Sequence, residues 1–213
     1  MKFLNTLFFA YLALFPILNP PAMAPVFFRL TEGVTVAQRN HLAFLIGLYT
    51  FLFLSLLLCV GGWILKLLGI SIPVIAIAGG LLLFHSAWKM LNDAPRVPDS
   101  APEEAPGTML DQAFYPLTLP VTAGPGAIAV TLSLVPSGSI LDPGTLMAFL
   151  ATASGIALAG ATVFLFYRYS TTVIRKLGKT GAATITQISA FVLLAIGVQI
   201  VWGGLQGLLR GTP

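Results

Sequence analysis

Uncharged apolar runs alternate with short polar stretches along this chain. Residues 43–65, 70–88, 113–135, 144–167 and 186–209 contain no Asp, Glu, Lys or Arg. A further apolar run begins at residue 3. Each is near the ~20 residues that a helix needs to cross a ~30 Å hydrocarbon layer. The pattern predicts an all-α, polytopic membrane protein with six transmembrane helices. The clearly polar interruption is "NDAPRVPDSAPEEAPGTMLD", residues 92–111. Rich in Pro, Ala, Asp and Glu, it has too little apolar surface to build a core, so a flexible linker is expected over 93–111.

That linker separates two similar halves, 1–92 and 112–213. "FPILNPPAMAPVFFRLT" starts at Phe15 and "YPLTLPVTAGPGAIAVT" at Tyr115. At a shift of 100 residues Pro16, Pro20 and Pro25 fall on Pro116, Pro120 and Pro125, and Thr31 falls on Thr131. More loosely, "KLLGISIPVIAIAGGLLLFHSAWKML" matches "KLGKTGAATITQISAFVLLAIGVQIV". Two three-helix repeats follow, each with a proline-interrupted first helix. An odd number of spans per repeat inverts the second relative to the first.

Composition agrees with a membrane protein: 57% of the 213 residues are hydrophobic and 8% charged, against roughly 25% charged in soluble domains. The net charge of +4 makes no case for a nucleic-acid partner, because the basic residues sit between apolar runs. There they act as orientation signals. With the N-terminus outside, Arg29, Arg39, Lys89, Arg96, Arg168, Arg175, Lys176 and Lys179 face inward, and only Lys2, Lys66 and Arg210 face outward. The excess of Lys and Arg on inner loops places both termini outside and the linker in the cytoplasm of a bacterial or archaeal cell, in the inner membrane. Ala22-Met23-Ala24 has the small-x-small form of a signal-peptidase site. Its twin lies mid-chain, so the stretch is expected to be retained. The single Cys59 permits neither a disulfide framework nor a cysteine metal site, and no cofactor is implied.

The paired proline stretches are the candidate site. Proline removes an N–H and crowds the carbonyl four residues back. Backbone groups freed in this way cannot face lipid. Matched interruptions in two inverted repeats point to a midplane substrate site. Helix N-termini there would meet a carboxylate. Exposed carbonyls would meet an ammonium group or a cation. The candidate substrate contacts are Asn19, Pro20, Ala22 and Ala24 in the first half. In the second they are Thr118, Pro120, Thr122, Ala123, Gly124 and Gly126. A purely structural kink is the competing reading. His85, Ser86, Gln187 and Gln199 are candidates for a path or for ion coupling, or else hydrogen-bond partners between helices. The glycine pairs Gly79-Gly80 and Gly203-Gly204 suit close packing between helices or between the copies of a homodimer. Asp111 suits the N-terminus of the fourth span. No acid falls well inside a span, so a carboxylate proton relay is not evident. An intramembrane hydrolase would need Ser86 or Ser189 with His85, but adjacent helix residues do not face each other. The protein is expected not to be an enzyme.

"LFPILNPPAMAPVFFRLT", "GISIPVIAIAGGLLLFHSAWKML", "PLTLPVTAGPGAIAVTLSL" and "GKTGAATITQISAFVLLAIGVQIVWGGL" resemble the MarC family of integral membrane proteins, over residues 7–209. The family is similar to the LysE-type exporter superfamily, with six spans in two three-helix repeats. The resemblance implies export of small neutral amino acids, glycine and alanine among them. Many relatives follow N-P with glycine or another small residue, whereas this chain has Pro21. The alternatives are a channel or carrier for another small solute or ion, and a non-transporting membrane scaffold.

Overall fold

The computed structural model describes residues 2–92, 112–136 and 141–210. The linker expected over 93–111 lies outside the described residues, as do Arg96 and Asp111. Eight helical segments follow in order: α1 Lys2–Leu18, α2 Pro20–Leu30, α3 Val36–Leu68, α4 Ile72–Asn92, α5 Ala113–Thr122, α6 Pro125–Ser133, α7 Pro143–Arg168 and α8 Ser170–Leu209. There is no strand among the described residues. Four stretches are long and apolar enough to span a membrane: α3, α4, α7 and Ala183–Leu209 of α8. The count rises to six if each bent pair, α1 with α2 and α5 with α6, is one span.

Local sequence sets the ends. Thr35 and Gln38 form a reciprocal capping box at the start of α3, satisfying two N–H groups that the helix leaves free. Asp142 caps α7 by accepting from the Thr145 N–H at 3.0 Å, with Pro143 following as the first helical residue. Gly69 ends α3 at φ 66° and Gly178 breaks α8 at φ 64°. These are the glycines of the loosely matched K-L-L-G and K-L-G stretches, and a side chain at either would be strained. The 33 residues of α3 extend about 50 Å, beyond the expected 43–65 at both ends. The excess carries Arg39 and Lys66.

The two proline stretches break differently. In the first, α1 runs through Pro16 and stops at Asn19, whose φ of 46° and ψ of 52° are left-handed. The residue before a proline avoids the right-handed helical region, and asparagine tolerates the left-handed one. The chain bends 45° and restarts at Pro20. In the second, Tyr115 and Leu119 precede prolines and are extended, at φ −126° and −116°. Both their bonds to proline are cis. The bend between α5 and α6 is 72°.

Packing pairs α3 with α7 and α4 with α8; α1 lies on α7, α5 on α3, α6 on α4 and α2 on α8. Glycines bring both central crossings close. A Cβ on Gly47 would lie 2.8 Å from the Gly160 carbonyl oxygen, and one on Gly160 equally close to that of Gly47. Gly80 and Gly197 repeat this reciprocity, at 2.9 and 3.0 Å. Of the glycine pairs singled out from sequence, Gly79 meets Ala129, Gly80 meets Gly197 and Gly204 meets Pro73, all within the chain. Only Gly203 faces open space. Large apolar side chains such as Trp63, Leu67, Phe191 and Trp202 cover the outside, as a lipid-facing surface requires.

Candidate functional site

Asn19 is the hinge of the first break. Its N–H donates to the Phe15 carbonyl and its own carbonyl accepts from the Met23 N–H, both at 3.0 Å. One residue therefore closes α1 and opens α2. The side chain is 5% exposed and makes no cap bond. Its Nδ2 is buried without a hydrogen-bond partner. A buried amide donor left unpaired costs about 1–3 kcal/mol. Pro20 and Pro21 carry no N–H, so Ala22 supplies the first backbone donor of α2. Ala22 and Ala24 are buried and add little side-chain bulk of their own at that helix start.

The second break resolves more of its own backbone. The Thr118 hydroxyl donates to the Ala113 carbonyl at 2.6 Å, and the Thr122 hydroxyl to that of Leu117 at 2.7 Å. The Ala123 N–H donates to the Thr118 carbonyl at 2.8 Å. Carbonyls of Ala113, Leu117 and Thr118 thus find donors five residues on within the interrupted helix, where lipid could offer none. Thr118 and Thr122, read from sequence as substrate contacts, are held by these bonds. Gly124 precedes Pro125 at the start of α6. A Cβ on Gly126 would lie 3.1 Å from Leu83 Cδ1 and 3.5 Å from Ile17 Cγ2. Its smallness therefore admits α4 and the end of α1, which brings the second break beside the first.

Tyr167 of α7 joins both interrupted segments, a link that sequence did not single out. Its ring stacks on Phe27 of α2, with centroids 4.6 Å apart. Its hydroxyl shares a hydrogen bond with Thr122 at 2.9 Å. Arg39, expected as an orientation anchor, is 9% exposed and bonded to Thr31 and Thr171. Thr50 and Thr131 are fully buried, each with an unpartnered hydroxyl. The register of Thr31 with Thr131 was the available signal for one of them. His85, Ser86, Gln187 and Gln199 are exposed on α4 and α8 and do not gather at the breaks. The Ser86 hydroxyl donates to the Leu82 carbonyl. Among the described residues no three His, Cys, Asp or Glu side chains could together hold a metal ion.

The profile of the MarC family integral membrane proteins matches residues 4–209, taking in both breaks and nearly all of the described helices. The chain belongs to the MarC family. It is 33% identical over 201 residues to the UPF0056 membrane protein YvbG of Bacillus subtilis (strain 168), covering 93% of each chain. A UPF0056 membrane protein of Aquifex aeolicus (strain VF5) is 34% identical over 203 residues, covering 94% of this chain and 92% of its own. The UPF0056 inner membrane protein MarC of Salmonella typhimurium is 29% identical over 208 residues, covering 92% of each. No solved structure matches the chain. Family membership and the apolar helices establish a multi-pass integral membrane protein, with relatives named as inner membrane proteins.

Proposed function

We propose that this MarC-family protein is a carrier that exports small neutral amino acids, such as glycine or alanine. Transport proceeds by alternating access at a site formed by the two broken helices. The observation that carries this reading is Asn19: a buried side-chain N–H donor without a partner, at the left-handed break from which α2 starts. A substrate carboxylate would take the Asn19 Nδ2–H and the Ala22 N–H, favoured by the positive end of the α2 dipole. Few side-chain atoms need to move, because Ala22 and Ala24 leave little bulk. Binding would relieve the cost of the unpaired amide, which gives the site a reason to prefer the filled state.

The six-span, inverted-repeat reading belongs to the same proposal. It is supported by a packing scheme that survives exchange of the halves. The pair α1 with α7 becomes α5 with α3, α4 with α6 becomes α8 with α2, and α3 with α7 and α4 with α8 map onto themselves. The reciprocal glycines at 47 and 160 and at 80 and 197 fit an axis passing through both crossings. With the inner excess of Lys and Arg, both termini lie outside.

The test is counterflow of labelled glycine and alanine in proteoliposomes holding the purified protein. Saturable uptake above empty vesicles is expected. A flat response across a panel of neutral amino acids would sink the reading.

A further inference from the structure

The two ends of the bundle are closed to different degrees. Arg39 in the first turn of α3 and Lys66 in its last stand about 40 Å apart at ~1.5 Å per residue.

At the Arg39 end the chain is sealed in two layers. The guanidinium Nε donates to the Thr31 hydroxyl at 3.0 Å, and a terminal nitrogen donates to the Thr31 carbonyl at 2.8 Å. The other terminal nitrogen reaches the Thr171 hydroxyl at 3.4 Å. The group also lies over the Phe28 ring, 4.5 Å from its centroid. One side chain thereby ties the end of α2, the start of α3 and the start of α8. All these partners are neutral. Such a seal opens more readily than a buried ion pair, in which a separated charge would be left uncompensated. Beneath it, Phe27, Tyr167 and Thr122 form the aromatic layer already described.

At the opposite end lies a cavity of about 620 Å³ between the ends of α3 and α6 and the start of α7. Gly62, Lys66, Val135 and Phe149 are on its walls. One turn deeper, Leu132 packs against Gly61, and the cavity wall includes neither Asn19 nor Gly124. The matched threonines record the same asymmetry. Thr31 is held by Arg39, whereas the buried Thr131 hydroxyl has no partner.

We propose that this is the carrier with one mouth shut and the other open. Arg39 latches the shut mouth across α2, α3 and α8. The cavity between α3, α6 and α7 admits a small zwitterion at the open one, with the Gly61–Leu132 contact as its inner limit. Exchange of states then breaks the Arg39 bonds and collapses the cavity. The inference rests on the carrier reading above, but its test needs no substrate, so the two fail separately.

Cys59 lines the cavity, is exposed and is the only cysteine of the chain, so it reports on the open mouth without further engineering. Ser170 is fully buried beside Thr171 and reports on the latch once changed to cysteine in a Cys59→Ser background. In the full-length protein, Arg39→Ala is expected to slow maleimide labelling of Cys59 by about threefold or more, as the population shifts away from the latched state. It is also expected to make the otherwise inert Ser170→Cys thiol reactive. Thr171→Val, which removes one bond and leaves both bonds from Arg39 to Thr31 in place, should shift both rates in the same direction by less. This second variant decides the matter if Arg39→Ala does not fold. Monodisperse protein in which either rate stays unchanged overturns the proposal, since Arg39 is then a static brace or the two ends are not coupled.

Discussion

Asn19 combines two demands in one residue. Its backbone must be left-handed so that α1 can stop and α2 can start within a single position. Its side-chain Nδ2 has no partner, and in the proposed carrier it would meet the substrate carboxylate. Asn19→Gly separates these demands, because glycine takes φ 46° without strain while the amide disappears. Thermal unfolding of the variant in detergent should occur at or above the parent's midpoint, because the unpaired amide is gone. Amino acid counterflow should fall about 10–100-fold in apparent affinity, the loss expected for one hydrogen bond to a charged carboxylate. Unchanged counterflow in the folded variant would remove Asn19 from the site. Thr118 and Thr122 looked equivalent to Asn19 in sequence, as neutral polar residues among prolines. Their hydroxyls donate to the Ala113 and Leu117 carbonyls within the broken helix, a bond that the Asn19 amide N–H lacks. Residue type alone could not separate the two roles, because a threonine hydroxyl serves either.

Among the elements, the central helix crossings depend on glycine, with each backbone resting on the other's carbonyl. Hydrocarbon supplies no hydrophobic drive between helices, so association relies on such close packing. Gly47→Ala would place its Cβ against the backbone of Gly160, which cannot rotate aside. A loss of about 1–3 kcal/mol is expected, seen as a lower unfolding midpoint. Gly203→Ala faces nothing within 4 Å and is the control. Helix propensity alone should leave it neutral or up to about 1 kcal/mol more stable. Equal effects at the two positions would contradict the crossing geometry. The helices themselves were largely legible, since uncharged runs of span length have few other uses. The extra turn at the start of α3 was less so, because residues 38–41 are all polar and the helix there begins at the Thr35–Gln38 cap.

At the scale of the whole molecule, orientation follows from charge. If both termini lie outside, Lys2→Cys in a Cys59→Ser background should react with an impermeant thiol reagent on intact cells. Arg175→Cys should react only after the membrane is breached. The reverse pattern would invert the orientation, and with it the membrane sides on which the Arg39 end and the cavity end lie, leaving their geometry untouched.

The sequence by itself determined the all-helical membrane class, the long apolar helices and the two breaks. These depend on local quantities: run length, charge, and the steric demands of proline on its nearest neighbours. It also carried enough of the family's pattern to be matched over residues 4–209. Only the tertiary structure decided which polar groups are satisfied. Arg39 finds Thr171, and Thr122 finds Tyr167, across 132 and 45 residues of chain, whereas Asn19 Nδ2 finds no partner. His85 and Gln199, intramembrane polar residues like Asn19 in the sequence, face outward on α4 and α8. A hydrogen bond needs its partners within a few tenths of an ångström of ~2.9 Å, and that separation is set by how distant helices pack.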